Sequence, residues 1–150
     1  MVHKKLTLSI SNFTEGCDSN SYNTLTDVTR RSNLYKWLNG ADYTDNSAPS
    51  YGTTSPDWKG TGWYRVGNNR NITSQVVPSD HCNTYHSGYL ARESHHPDEE
   101  GKTIPAKICF HLSSSEPCWR ELQIQIKNCK GFYIYDLPEV PQCRFRFCTT

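Results

Sequence analysis

The segment Arg92–Lys102, RESHHPDEEGK, concentrates ionisable side chains: four carboxylates and two imidazoles lie within eleven residues. The whole chain has 16 Lys and Arg against 15 Asp and Glu, so this excess of acid is local. Carboxylates in one turn repel each other unless water, lysine or a cation spreads the charge. Calcium does this well, because it takes about six to eight oxygen ligands in flexible geometry. The segment therefore predicts a weak calcium site with Glu93, Asp98, Glu99 and Glu100 as ligands.

A bound calcium ion with open positions can chelate two neighbouring sugar hydroxyls, and an aromatic ring beside it can stack on a hexose. Galactose suits this chemistry, because its axial 4-hydroxyl leaves a continuous apolar face for the ring. The predicted sugar-binding residues are Glu93, His96, Asp98 and Glu100, with Tyr85 and Tyr89 as the aromatic rings. Further aromatic candidates are Trp119 and the loop residues Tyr43, Tyr51 and Trp58.

Other chemistries fit the segment less well. A solvated turn between Pro97 and Gly101 is the simpler alternative, and no EF-hand spacing is present. Zinc is a competing metal, but its candidate imidazoles lie in loop-like sequence rather than on a helix face. A glycosidase pair such as Glu93 and Glu100 needs one desolvated carboxyl, whereas four adjacent acids imply a wet environment. We expect no enzymatic activity. The zinc candidates are His81, His86, His95 and His96, with Asp80 or Glu93.

The composition indicates a single extracellular domain. Seven cysteines in 150 residues, none in a Cys-x-x-Cys pair, favour disulfides in an oxidising compartment. The sequons at Asn12 and Asn71 predict glycosylation in a secreted protein. A net charge of +1 predicts no nucleic-acid partner, and no stretch approaches the roughly 20 apolar residues of a membrane span. We expect that Met1 precedes the start of the mature chain.

Local patterns place these residues in a mainly β fold. Leu6–Ile10 alternates like a strand, and Tyr22–Leu38 has apolar residues at roughly helical spacing, which predicts one or two short helices. Asn39–Gly62 is poor in apolar residues, so we expect a long surface loop.

The later sequence predicts further strands. Trp63–Val66 is a predicted strand, and Leu122–Ile126 pairs with Phe132–Leu137 in a predicted hairpin. We therefore predict a mainly β, disulfide-stapled single domain over residues 1–150, with long loops and one or two short helices. The rings predicted to pack in the core are Trp63, Trp119, Phe132, Tyr133 and Tyr135.

A series of ordered motifs between about residues 15 and 148 resembles the cysteine-rich domain of uromodulin and the pancreatic zymogen-granule membrane glycoprotein. The resemblance is specific for fold. In the relatives, it implies, this domain offers mannose chains to bacterial adhesins from a sequon before a His-Pro pair. The corresponding stretch here, Gly88–Pro97, has no sequon. The motifs are Cys17-x4-Tyr22-x2-Leu25, Gly62–Arg65, Val77–Pro78, Cys82–Thr84, His96–Pro97, Cys109–His111, Cys118–Trp119, Asn128–Tyr135, Leu137–Pro138 and Cys143 to Cys148.

The cysteines depart from the family pattern. The resemblance implies cysteines near Pro56, at Val76 and at Pro117, and none is present. An odd number of cysteines allows up to three internal bridges and leaves one thiol, which predicts a homodimer, linked through that thiol. The disulfide candidates are Cys17, Cys82, Cys109, Cys118, Cys129, Cys143 and Cys148.

Taken together, these features predict a secreted, calcium-dependent lectin, a galactoside-binding protein in which the domain stands alone. The alternative is an extracellular module that binds protein or displays its own glycans from Asn12 or Asn71.

Overall fold

The computed structural model describes residues 14–34 and 42–150. Within these ranges nine strands form a seven-stranded and a two-stranded sheet. The predicted strand Leu6–Ile10 lies outside the described residues. The strands are β1 (Asn23–Leu25), β2 (Tyr43–Thr44), β3 (Thr53–Thr54), β4 (Gly62–Val66), β5 (His86–Leu90), β6 (Thr103–Phe110), β7 (Arg120–Asn128), β8 (Tyr133–Leu137) and β9 (Phe145–Phe147).

The large sheet has the order β1-β4-β8-β7-β6-β5-β9. The predicted hairpin is confirmed, since β7 and β8 pair antiparallel with Ile126 opposite Tyr135. The predicted strand at Trp63–Val66 is confirmed as part of β4. Strand β6 pairs with β7 over eight positions, so the longest strands form the centre of the sheet.

The two faces of the sheet differ because side chains alternate along each strand. One face, the inner face, carries the apolar core, in which Ile108, Ile126, Tyr135, Leu137 and Phe147 are fully buried. The opposite face, the outer face, carries residues such as Pro105, Gln123 and Gln125, which are exposed. Trp63 was predicted for the core, but its register opposite Asp136 places it on the outer face, where it is half-buried.

The edges of the large sheet offer little backbone to another strand. At β9, Phe145 O accepts Asp45 N–H at 2.9 Å, and Phe147 N–H donates to Asp45 Oδ2 at 2.8 Å. Beyond the end of β5, Lys107 N–H donates to Ser94 Oγ at 2.9 Å. Two residues earlier, the position that faces the same edge is Pro105, which has no N–H. Edge-to-edge pairing is therefore blocked where the sheet is longest.

The long surface loop predicted over Asn39–Gly62 is wrong in the described part, 42–62. Its polar residues are buried by hydrogen bonding rather than by apolar packing. Thr44 and Asp45 are 0% exposed and Ser55 is 1% exposed. Trp58 is buried and stacks on Tyr64 with ring centroids 4.9 Å apart. Composition failed as a guide here because it counts apolar side chains and ignores buried polar networks.

A buried guanidinium group holds this segment in place. Arg30 is 1% exposed, and its NH2 lies 2.7 Å from Asp45 Oδ1 and 2.5 Å from Asp57 Oδ1. Its NH1 also donates to Phe147 O at 3.0 Å. Burial raises the pKa of Asp57, but its hydrogen bonds to Arg30 and the charge of Arg30 outweigh this and lower that pKa to about 2. Arg30 thus joins three distant parts of the chain through one planar group.

A second buried arginine extends the network. Arg146 is 0% exposed and pairs with Asp27 at 3.0 Å, while its Nε donates to Ser55 Oγ at 3.0 Å. Asp27 also caps a single 3₁₀ turn, Val28–Arg30, by accepting Thr29 N–H. The short helices predicted for Tyr22–Leu38 are therefore wrong over the described residues 22–34, where a strand and this one turn replace them. Residues 35–38 lie outside the described residues.

All seven cysteines lie in the described residues, and six form three disulfides: Cys17–Cys129, Cys82–Cys148 and Cys109–Cys118. The first closes a loop of 112 residues and the second one of 66 residues, so both restrict the unfolded chain strongly. Cys143 is the unpaired seventh cysteine and is exposed. The predicted disulfide framework is confirmed, and the predicted homodimer stays a prediction.

Replacing Arg30 with Met should destabilise the fold strongly, because Asp45 and Asp57 would remain buried without their partner. We expect a loss of about 3–5 kcal/mol in the free energy of unfolding. Urea denaturation followed by far-UV circular dichroism at pH 7 measures this loss. The matched control is Arg92→Met at an exposed arginine, with an expected change within about 0.5 kcal/mol. Similar losses in both variants would show that the buried pairing is unimportant.

Candidate functional site

The acidic segment is fastened to the turn of the β7–β8 hairpin. Asn128 holds it: its side-chain Nδ2 donates to Pro97 O at 2.9 Å, and its backbone accepts Gly101 N–H at 2.7 Å. Asp98, Glu99 and Glu100 are exposed on the outside of this turn. The backbone of the segment is therefore fixed, while its carboxylates face solvent.

The predicted calcium ligands do not form one compact group. Glu93 lies before this turn, where its carboxylate is 4.0 Å from Lys107 Nζ. Over residues 14–34 and 42–150, no three or more His, Cys, Asp or Glu side chains are placed to hold a metal ion together. This applies equally to the imidazoles considered for zinc. Calcium binding at the acidic turn stays a prediction.

His96, predicted as a sugar ligand, is turned toward the inner core. Its Nε2 lies 2.8 Å from the hydroxyl of Tyr135, and its ring centroid is 4.6 Å from that of Tyr133. The Tyr135 hydroxyl accepts Ile72 N–H at 3.2 Å, so its own proton is available for an unprotonated His96 Nε2. Burial lowers the pKa of His96, and the nearby charge of His95 acts in the same direction. The neutral imidazole is thus the form that fits this contact.

Tyr85 and Tyr89 lie in different environments. Tyr85 is half-buried and contacts the Arg144 guanidinium, whose carbon is 4.6 Å from the ring centroid. Tyr89 is 3% exposed, and its hydroxyl donates to Pro117 O. Neither ring lies in contact with the acidic turn in the interactions of the described residues. The structure separates the predicted sugar-binding residues into at least three places.

Two of the predicted residues, Tyr89 and Glu93, line one concave surface. This surface, which we call the disulfide groove, has a volume of about 460 Å³ and is formed beside the Cys109–Cys118 bridge. Val76 lines it as well and is 59% exposed, an unusual state for a valine. Most of the surface exposed in the groove is apolar. Concave surfaces of this kind commonly receive an apolar group of a partner.

Val76 and Pro117 are two of the positions at which the family resemblance predicts cysteines, and both line the disulfide groove. Sequence reasoning treated them only as lost bridge partners. Their joint loss was the available signal, because two residues that pair in relatives must be neighbours in space. Replacing such a bridge with Val and Pro leaves apolar surface at that place.

The described glycosylation candidate, Asn71, is half-buried near the C-terminus. Its backbone N–H donates to Thr150 Oγ1 at 3.2 Å, and the sequon threonine, Thr73, is 2% exposed. Asn12 lies outside the described residues.

Comparison with known proteins identifies the fold. A family model, that of the uromodulin-like cysteine-rich domain, matches residues 64–149. The chain belongs to this family. Rat (Rattus norvegicus) and mouse (Mus musculus) uromodulin are each 33% identical to it over 91 residues, which is 59% of this chain. The match covers only 14% of the length of either relative. The predicted resemblance to the uromodulin cysteine-rich domain is thus confirmed.

The match to the uromodulin-like domain covers β4 to β9 and includes five of the six bridged cysteines. Three disulfides agree with folding in an oxidising compartment. A search of the described residues for a helix long and apolar enough to cross a membrane found none.

The contact between His96 and Tyr135 predicts pH-dependent stability. Because the folded-state pKa of His96 is lowered from its usual 6.5, the stabilisation from neutral His96 is fully present above pH 6.5 and is lost as the pH falls through the lowered pKa. Burial lowers the pKa of His86 and His111 as well, so they contribute in the same direction. We expect the free energy of unfolding to fall between pH 7 and pH 5.

The variant His96→Gln keeps an acceptor for the tyrosine proton but cannot be protonated, so its stability should fall less over the same range. Urea denaturation at several pH values compares it with wild type and with His95→Gln, in which an exposed imidazole is removed. Parallel pH profiles for wild type and His96→Gln would contradict this role.

Proposed function

We propose that this chain is an extracellular module that binds a protein partner through the disulfide groove, without a catalytic step. The observation that carries the proposal is the exposed Val76 in a groove whose other apolar surface is concave and fixed. Family membership supports a binding role in an oxidising, extracellular setting.

The groove has the rigidity that selective binding needs. Tyr89 and Cys109 pair across β5 and β6, and the bridge to Cys118 holds the opposite wall. Tyr89 is fixed at both ends, by the strand and by its hydroxyl bond to Pro117. A preformed surface loses little conformational entropy on binding.

Polar groups at the rim can orient a partner. Glu93 and Glu121 line the groove, and both lie near Lys107 Nζ, at 4.0 Å and 3.5 Å. These three side chains are 38–63% exposed, so solvent screens their charges. Their contribution is to register, while an apolar side chain inserted beside Val76 supplies affinity.

The variant Val76→Asp tests the groove. A charge at the centre of an apolar contact should weaken partner binding by about tenfold or more, because the carboxylate must be desolvated. Binding of the wild-type chain to an array of secreted and cell-surface ectodomains identifies partners, and biolayer interferometry measures the affinities. The matched control is Val28→Asp, since Val28 is 58% exposed and lies elsewhere. Equal affinities for the two variants would exclude the groove as the binding surface.

A second candidate is the calcium-dependent, galactoside-binding lectin. The observation that favours it is the exposure of Asp98, Glu99 and Glu100 on a turn whose backbone Asn128 holds. A fixed backbone lowers the cost of collecting carboxylates around an ion. In this proposal Glu93 joins from the side of the groove, and a homodimer linked through Cys143 supplies two sugar sites. Glycan display from Asn71 is compatible with either proposal.

Calcium and sugar binding can be tested together. Isothermal titration with calcium should give a weak site of about 10⁻⁴–10⁻³ M, and erythrocyte agglutination should be blocked by chelator and by free galactose. The double variant D98A/E100A should lose both properties and keep its far-UV spectrum. Calcium heats equal to those of the variant, or agglutination that persists in chelator, would exclude this site.

A further inference from the structure

The outer face of the sheet carries a row of side chains that the proposed function does not use. Strand register places Trp63 opposite Asp136, Asp136 opposite Gln125, and Gln125 opposite Pro105. The row crosses β4, β8, β7 and β6, which are neighbours in the sheet. Since neighbouring strands lie about 4.8 Å apart, the row is about 14 Å long. We call these four residues the outer row.

The outer row is open to a ligand. Gln125 and Pro105 are exposed, and Trp63 and Asp136 are half-buried. Two hollows adjoin the row and share Gln125 as a lining residue: one of about 410 Å³ that includes Asp136, and one of about 550 Å³ that includes Trp63. The surface is therefore a shallow trough rather than a flat sheet.

The chemistry of the row suits a sugar chain. An indole ring and a proline ring offer apolar surfaces at its two ends, where the carbon face of a hexose can pack. Between them, the Asp136 carboxylate accepts hydrogen bonds, and the Gln125 amide both donates and accepts. Gln123, two residues earlier on β7 and also exposed, adds a second amide on the same face.

We propose that the outer row binds a neutral, linear oligosaccharide of about three hexose units, laid across the strands so that one unit covers about one strand spacing. This inference goes beyond the proposed protein-binding function. It places sugar recognition on the sheet, apart from the acidic turn, and it needs no calcium.

The local charges favour a neutral glycan over a phosphorylated, sulfated or sialylated one. Lys107 is engaged with Glu93 and Glu121. Lys127, also on the outer face, is 7% exposed, and its Nζ donates to Glu15 O at 2.5 Å. Neither cation is offered at the centre of the row, and Asp136 would repel an anion.

An extended peptide fits this surface less well. Peptides that recognise sheets add as a strand at an edge, where the backbone groups of both partners pair. The edge beside the row presents Pro105, which lacks an N–H. A peptide lying on the sheet face would leave most of its own backbone groups without partners, whereas sugar hydroxyls match isolated side-chain amides and carboxylates.

Side-chain amide signals in ¹⁵N-labelled protein test the proposal directly. The full chain is titrated with mannotriose, cellotriose, maltotriose and β-1,4-galactotriose in the presence of EDTA. We expect at least one trisaccharide to shift the side-chain amide signals of Gln123 and Gln125. Gln125→Ala and Asp136→Asn should each weaken its binding by about tenfold. Gln142→Ala, which removes an exposed glutamine elsewhere, should leave it unchanged.

Several outcomes would overturn the proposal. One is silence of both glutamine amides with all four sugars at millimolar concentration in a folded protein. Another is an affinity unchanged by Gln125→Ala, and a third is binding that requires calcium and is lost in D98A/E100A. The variant Val76→Asp separates this proposal from the protein-binding one, because it should abolish partner binding and leave the sugar-induced shifts intact.

Discussion

The fold depends on the ion pairing of one buried side chain, Arg30. Its guanidinium group contacts Asp45, Asp57 and the carbonyl of Phe147, which come from three distant parts of the chain. Each carboxylate accepts a backbone N–H as well, Asp45 from Phe147 and Asp57 from Asp27. A buried ion pair is costly to form and much costlier to break, so the network fixes one arrangement rather than adding much net stability. That arrangement covers the edge of β9 and one side of the inner core.

Closing those parts of the molecule determines where a ligand can bind. The inner face of the sheet is filled, and the edge at β9 is covered by the segment that Arg30 anchors. At the other long edge, Pro105 removes a backbone donor. What stays open in the described residues is the outer face and the groove beside Cys109–Cys118. Recognition by side chains on a face therefore fits this domain better than recognition by strand addition.

The sequence predicted the parts of the fold that repeat with a regular period. Alternating residues gave the β7–β8 hairpin, and the order of motifs around the cysteines gave the family. Alternation alone could not assign Trp63 to the outer face, because its direction depends on register with Asp136. The segment after Asp42 was misjudged for a different reason: its acidic and hydroxyl side chains are buried against Arg30 and Arg146, which are far away in sequence. For the same reason the predicted binding residues were scattered, since closeness along the chain did not make His96 and Glu100 face the same way.

The groove shows how the loss of a bridge can change a surface. The fold keeps two disulfides that close long loops, and these restrict the unfolded chain more than a short loop does. With Val76 and Pro117 in place of the cysteines that the family resemblance implies, the groove gains apolar surface that solvent can reach. Exposed apolar surface weakens solubility and is tolerated where a partner covers it. Because β5, β6 and the Cys109–Cys118 bridge keep the walls of the groove rigid, this surface keeps its shape when the partner is absent, which is the condition for selective binding.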